Sequence, residues 1–138
     1  MKYRPFRTVL PVLLVAVFLA GCGDSITEAD STPVGSYALI SLNGQPLPFT
    51  IEELPGESMT LTSATLTLNA DGTCSLLSTI QETTATGTAT ETDSSIGTWG
   101  NTGNAISFAW SDGTALAGSW SGDTIVIPDE GVVYLFER

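Results

Sequence analysis

Turn-forming pairs recur at short intervals along most of this 138-residue chain, and they limit the fold more than any other feature. Pairs of glycine with asparagine or aspartate favour tight turns between antiparallel strands, and turns spaced about 8–12 residues apart are typical of a sandwich or an up-and-down barrel. Every connection after residue 33 is short enough for a hairpin, and none has the length that a parallel crossover requires. The pattern therefore favours a meander over a Greek key. The pairs are Asn43-Gly44, Asp71-Gly72, Asp112-Gly113 and Gly122-Asp123.

The segments between these turns alternate apolar and polar residues, as strands with one buried face do. Within residues 104–110, for example, Ile106 and Phe108 share one face, and smaller residues occupy the other. No window of the chain shows a helical period. We count eight principal strands, with residues 47–51 as a candidate for a short ninth strand and residues 52–57 as a loop.

The fold class that we expect is therefore all-β. Over residues 34–138 the pattern predicts an antiparallel up-and-down meander that closes into a barrel of about eight strands, and the interior of such a barrel is filled by side chains or holds one small ligand. Period alone does not distinguish a solid core from a small cavity. The inward-facing candidates for ligand binding are Tyr37, Leu39, Phe108, Trp110, Leu116, Trp120, Tyr134 and Phe136.

One segment departs from the alternating pattern. Residues 81–95 place threonine or an acidic residue on both faces, so no core is expected beneath them. We predict a hairpin that projects into water and is stabilised by the β-propensity of threonine and by cross-strand pairs. The hairpin is interpreted either as a contact arm or as a solvated, partly disordered extension.

The first twenty residues have the composition of a secretory signal. Residues 1–7 carry three basic residues and no acid, and residues 8–20 are almost wholly apolar. An apolar run of this length after a basic segment is typical of a signal peptide and too short for a spanning helix. An uncleaved membrane anchor is the alternative interpretation.

The apolar run ends in the sequence LAGC, which resembles the lipobox of bacterial lipoproteins at all four positions. The resemblance implies cleavage after Gly21 and acylation of Cys22, so that residues 1–21 form a lipoprotein signal peptide and residues 22–33 an acylated, flexible tether. Several acyl chains would make the attachment to the membrane effectively permanent. Glycine rather than aspartate follows the cysteine, which favours the outer membrane over the inner membrane. We expect a lipid-anchored protein of the cell envelope.

The remaining chain resembles the small lipocalin-like domains of bacterial lipoproteins, over about residues 34–138. Lipocalins carry Gly-x-Trp in their first strand, with the aromatic ring packed at the closed end under an arginine from the end of the barrel. Gly35 and Tyr37 occupy the corresponding positions, with tyrosine in place of tryptophan, and Arg138 follows the last strand. The resemblance implies that Tyr37 and Arg138 close the barrel, and that the barrel binds an apolar ligand.

The charge of the chain excludes one class of partner. Without residues 1–21, Arg138 is the only basic residue against 15 acidic residues, so the loss of three positive charges takes the net charge from −11 to −14. Nucleic-acid binding requires a basic surface, and none is available here. High negative charge instead keeps a tethered domain soluble.

Enzymatic chemistry also lacks its usual groups. The chain has no histidine, and its one lysine lies in the leader, so nucleophile–histidine pairs, histidine-based zinc sites and Schiff-base lysines are excluded. The acidic pairs Glu52-Glu53 and Asp129-Glu130 are sequence neighbours whose side chains point apart, unlike the facing carboxylates of glycoside hydrolases. Calcium loops need closely spaced oxygen ligands, which no segment supplies. We therefore expect no enzyme, no metal and no cofactor.

Three functional hypotheses follow. The first is a membrane-anchored envelope lipoprotein whose barrel binds a small apolar ligand. The second is an envelope or surface interaction module that acts through its loops and the threonine-rich hairpin. The third is a structural or inhibitor-like protein without a ligand. Cys74, which has no cysteine partner once Cys22 is acylated, is interpreted as a small buried hydrophobe rather than as a reactive thiol.

Overall fold

The predicted turn pairs reverse the chain between antiparallel strands in the computed structural model, which describes residues 32–138. At the first turn, Asn43 and Gly44 have φ angles of 51° and 77°, the left-handed conformation that an Asn-Gly pair favours. The strands are β1 (Gly35–Leu42), β2 (Gln45–Pro46), β3 (Phe49–Leu54), β4 (Glu57–Leu68), β5 (Thr73–Thr84), β6 (Gly87–Thr102), β7 (Ala105–Trp110), β8 (Ala115–Ser121), β9 (Thr124–Asp129) and β10 (Val132–Glu137).

Eight of these strands close into a barrel. From β4 to β10 each strand pairs with the next along the chain, and β1 pairs with β10 on one side and with β4 on the other. Leu39 lies opposite Phe136 of β10, and Tyr37 lies opposite Leu66 of β4. All pairings are antiparallel, and no residue between 32 and 138 is helical. The predicted all-β meander barrel is confirmed.

No helix long and apolar enough to cross a membrane occurs among residues 32–138.

The segment after β1 differs from the prediction. Residues 52–57 were expected to form a loop, but β3 continues to Leu54 and β4 begins at Glu57, so only Pro55 and Gly56 separate them. A register shift after Thr50 allows this continuation, because it inserts one extra residue before Glu52 pairs with Met59. The two-residue strand β2 was not predicted either.

The predicted hairpin of residues 81–95 forms, and it is part of a larger sheet. The β5–β6 ladder runs without a register shift from Thr73 to Thr84. Strand β7 pairs with β6 only from Gly97, which lies opposite Cys74, so most of the ladder extends beyond the part of β6 that β7 covers. Strand β3 and the first part of β4 extend alongside it. We call this four-stranded extension, residues 49–61 and 79–92, the flap.

The core lies inside the barrel. Its side chains come from alternate positions of the barrel strands, as the period of two predicts, and residues 81–83 and 85–94 of the hairpin are all exposed. The most deeply buried side chains, with at most 2% of their surface exposed, are Tyr37, Leu66, Leu68, Cys74, Ile106, Phe108 and Ile125.

Candidate ligand cavity

The barrel interior contains a cavity of about 130 Å³. Leu66, Ile127 and Phe136 are buried and form its deep part, whereas the remaining lining residues are half-buried and reach towards solvent. The lining is mostly apolar, which is typical of a small-molecule site. The full lining is Leu66, Leu76, Trp110, Leu116, Ile127, Asp129, Tyr134 and Phe136.

The strand registers bring these residues together from six strands. Leu66 of β4 lies opposite Leu76 of β5, and Ile127 of β9 lies opposite Tyr134 of β10. Such opposite positions put side chains on the same face at the closest cross-strand distance. Trp110 is the last residue of β7 and Leu116 is the second residue of β8, so both lie beside the turn that joins these strands.

Two glycines permit the close approach of strands next to the cavity. A side chain at Gly97 would strike the carbonyl oxygen of Ala109 and the Cα atom of Trp110, and one at Gly118 would strike the carbonyl oxygen of Val126. Only glycine fits where another backbone comes so near. Gly97 therefore helps to set the position of Trp110 at the cavity wall.

The Trp110 ring is held by an aromatic neighbour. It stacks on Phe108, two residues earlier on the same face of β7, with a centroid distance of 5.9 Å and an interplanar angle of 8°. Phe108 is buried, so the stack fixes one face of the half-buried indole against the core.

Four of the eight predicted interior residues line the cavity, namely Trp110, Leu116, Tyr134 and Phe136. The structure places the other four, Tyr37, Leu39, Phe108 and Trp120, in the packed core. The interior is thus solid in one part and open in another.

Four lining residues were missed. Leu66, Leu76 and Ile127 occupy inward positions of their strands, so their alternation is the signal that would have included them. Asp129 carries no such signal, because an acidic residue at the end of a strand reads as part of a turn.

Asp129 is the charged group of the cavity. Strand β9 ends at Asp129, which lies half-buried opposite Val132. Burial raises the pKa of the Tyr134 hydroxyl above its usual value, and the nearby charge of Asp129 raises it further. Tyr134 is therefore neutral at physiological pH and retains its hydroxyl proton.

The far end of the barrel, which we call the closed end, is built around Tyr37. Its ring is fully buried, and its hydroxyl donates a hydrogen bond to the carbonyl of Pro33 at 2.8 Å. The indole N–H of Trp120 donates to the carbonyl of Gly122 at 2.9 Å. The principal cause of the raised Tyr37 pKa is burial, which the positive charge of Arg138 partly opposes.

Arg138 covers this end. Its guanidinium carbon lies 5.2 Å from the centroid of the Tyr37 ring, the contact that the lipocalin resemblance implies. Nη1 donates to the Val34 carbonyl at 2.7 Å, and Nε lies 3.1 Å from the Asp123 carboxylate. The side chain thus connects segments before β1, between β8 and β9, and after β10.

The remaining reactive groups do not assemble into a site. Cys74 is buried, and burial raises the pKa of its thiol, which makes it a poor nucleophile. The Glu52-Glu53 pair lies in a strand rather than in the loop that we expected. Among residues 32–138, no group of three or more potential ligand side chains could hold a metal ion.

Comparison with models of protein families, with curated proteins and with solved structures finds no match for this chain. The predicted signal peptide, Cys22 and nearly all of the predicted tether lie outside the described residues.

Proposed function

We propose that this protein is a lipid-anchored lipoprotein of the cell envelope, in the outer membrane, whose barrel binds a small apolar ligand. The observation that carries the binding function is the cavity, since it combines a mostly apolar lining with a few polar groups at its half-buried wall. The anchor rests on the LAGC sequence after a basic and then apolar leader. Catalysis has no part in this proposal.

The volume of the cavity limits the ligand. An apolar cavity of about 150 Å³ accepts benzene, whereas pockets for drug-sized ligands span about 300–1,000 Å³. At about 130 Å³, the cavity has room for one ring or a short alkyl chain. A whole long-chain lipid does not fit within it.

The binding function is tested by filling the cavity. Leu76 lines it, whereas the neighbouring Leu77 is 50% exposed on the outer face of the same strand. We expect Leu76→Trp to abolish the binding of benzyl alcohol to the purified chain in calorimetric titration, and Leu77→Trp to leave it unchanged. Equal binding by the unmodified chain and Leu76→Trp would exclude this cavity as the site.

The anchor is tested with the two cysteines of the chain. Cys22→Ser is expected to move the protein from the membrane fraction to the soluble fraction of its host, because serine cannot carry the thioether-linked lipid. Cys74→Ala serves as the matched control and should remain with the membranes. A Cys22→Ser protein that still sediments with membranes and is still cleaved after Gly21 would contradict lipidation.

A second candidate function is protein interaction through the exposed edge of β6, most of which belongs to the flap. Residues 87–95 of β6 pair with β5 on one side, and no strand among residues 32–138 pairs with their other edge. Such an edge accepts an extended segment of a partner protein. Glu91 and Asp93 on this edge disfavour pairing with a second copy of the same acidic strand.

Adjacent proline variants test this candidate. Successive backbone N–H groups of a strand point to opposite edges, so one of Ala89→Pro and Thr90→Pro removes a donor from the free edge and the other removes one from the β5 ladder. If this edge binds a partner, the proline variant that keeps the β5 ladder will fold. In the cell envelope, that variant will no longer be cross-linked to the proteins that are cross-linked to the unmodified chain. Retained cross-linking in that variant would contradict edge binding.

A further inference from the structure

The polar groups of the cavity are left without partners by the chain itself. Asp129, Tyr134 and Trp110 all line the cavity. Among the hydrogen bonds and ion pairs within residues 32–138, none engages the Asp129 carboxylate, the Tyr134 hydroxyl or the Trp110 indole N–H. These three groups are therefore available to a ligand.

The Asp129 carboxylate also lacks a counter-ion in the described chain. Arg138 is the only basic residue after residue 7. It lies at the opposite end of the β9–β10 hairpin, where it pairs with Asp123. A half-buried carboxylate beside an apolar wall attracts an opposite charge more strongly than one in bulk water does. A positively charged ligand group would supply that charge.

The aromatic lining favours the same ligand. Three aromatic rings line this same cavity, those of Trp110, Tyr134 and Phe136. The faces of aromatic rings attract cations, tryptophan most strongly, and sites for organic ammonium ions are commonly built from them. An anionic ligand, in contrast, would meet the Asp129 charge with no basic residue of the described chain at this end of the barrel.

We infer that the cavity binds a small organic cation, in which an ammonium group carries one ring or a short alkyl chain. Asp129 acts as the counter-ion, Trp110 and Tyr134 stabilise the charge, and the buried floor of Leu66, Ile127 and Phe136 accepts the apolar part. This inference rests on the proposed function of the cavity and adds the chemical class of its ligand.

The test compares two probes of nearly equal shape, benzylammonium and benzyl alcohol, by calorimetric titration of the full chain. We expect the ammonium ion to bind at least about tenfold more tightly than the alcohol, since cation–π and charge-assisted contacts add to the same apolar burial. Added salt should weaken ammonium binding and leave alcohol binding unchanged.

Two matched variants locate the effect. Asp129→Asn should reduce the ratio of the ammonium affinity to the alcohol affinity to about one. Glu130→Gln removes the same charge from the next residue, which is exposed, and should keep the preference. If Asp129→Asn does not fold, the unmodified chain and Glu130→Gln decide instead: a preference that is independent of salt, or one that is lost in Glu130→Gln, would overturn the inference.

The outcomes separate the two proposals. Equal affinities of the unmodified chain for the two probes, or a preference that survives in Asp129→Asn, would overturn the cation inference while benzyl alcohol binding upheld the cavity. An equal loss of preference in Glu130→Gln would assign the effect to the overall negative charge and would overturn the role of Asp129. Absence of binding by both probes would overturn the proposed function as well.

Discussion

The closed end and the cavity end of the barrel each contain a tyrosine and a tryptophan, but the polar groups of these side chains are hydrogen-bonded within the described chain only at the closed end. At the closed end, the Tyr37 hydroxyl and the Trp120 indole each donate to a backbone carbonyl. At the cavity end, Tyr134 and Trp110 have no such bond among the described residues, and both remain half-buried.

The difference lies in the chain segments that cross each end. The closed end receives carbonyls from residues 33–34, which precede β1, and from Gly122 in the β8–β9 turn, and Arg138 fastens these segments over the Tyr37 ring. The cavity end has short hairpin turns and the flap, which leave its polar groups unpaired. The same aromatic residue is thus a core residue where a segment covers it and a site residue where none does.

We expect the largest difference in stability between the two ends when one tyrosine at each end is replaced by alanine. Tyr37→Ala removes a fully buried ring and should lower the free energy of unfolding by about 3–5 kcal/mol, as large-to-alanine core substitutions do. Tyr134→Ala should cost only about 1–2 kcal/mol, because the half-buried ring borders space that already exists. Urea unfolding followed by circular dichroism measures both, and equal losses would remove the distinction between the ends.

An identical enlargement should have opposite consequences at the two ends. Leu39→Phe overfills the packed core and should destabilise the fold by about 1–3 kcal/mol. Leu116→Phe extends into the cavity, and cavity-filling changes commonly stabilise by about 0.5–2 kcal/mol. The same unfolding experiment compares the two variants. A clear loss of stability in Leu116→Phe would mean that the cavity cannot accept a ring.

The closed end should also show coupling between Arg138 and Tyr37. A cation–π contact contributes about 0.5–1 kcal/mol at an exposed site and about 2 kcal/mol when desolvated, and the Arg138 side chain is 29% exposed. We therefore expect a coupling energy of about 1–2 kcal/mol from the unfolding of Arg138→Ala, Tyr37→Ala and the double variant. The cycle removes the separate contribution of the Asp123 ion pair. A coupling of zero would show that the guanidinium contributes only its other contacts.

The sequence predicted the barrel well, since turn pairs and a period of two are local signals that specify strand number and antiparallel order. It did not predict where β3 ends, because the register shift after Thr50 breaks the alternation on which the prediction depended. The hairpin of residues 81–95 was recognised from its polar faces, whereas its pairing with the first part of β4 depends on contacts between distant segments.

The division of the interior into core and cavity could not be predicted from periodicity. All eight interior candidates have the same inward phase, and the packing of side chains across several strands decides which of them touch a void. From the sequence, Asp129 was considered only as one of two neighbouring acidic residues, in a segment that Pro128 and Gly131 flank. Its place at the cavity wall depends on lining residues of β4, β5, β7 and β8, which are distant from it in sequence.

Alkaline unfolding should reveal the smallest difference between the two ends. Burial raises the pKa of Cys74, Tyr37 and Tyr134 in the folded protein, and Asp129 adds to the shift of Tyr134 whereas Arg138 opposes that of Tyr37. The unfolded chain therefore releases these protons at lower pH than the folded chain. Stability from these groups is fully present below about pH 8.5, the ordinary thiol value, and is lost as the pH rises, first through Cys74 and then, above about pH 10, through the tyrosines.

Three single variants assign this loss to its groups. Cys74→Ala should remove the part of the decline that begins near pH 8.5, and Tyr134→Phe and Tyr37→Phe should each reduce the part above about pH 10. The cavity end predicts one further dependence: Asp129→Asn should shift the Tyr134 ionisation of the folded protein, measured from tyrosinate absorbance, to lower pH, because it removes a charge that disfavours the phenolate. Glu130→Gln should leave it nearly unchanged. If Asp129→Asn does not move the Tyr134 titration, the carboxylate is too far from the ring to share a ligand with it, and the contrast between the two ends reduces to packing alone.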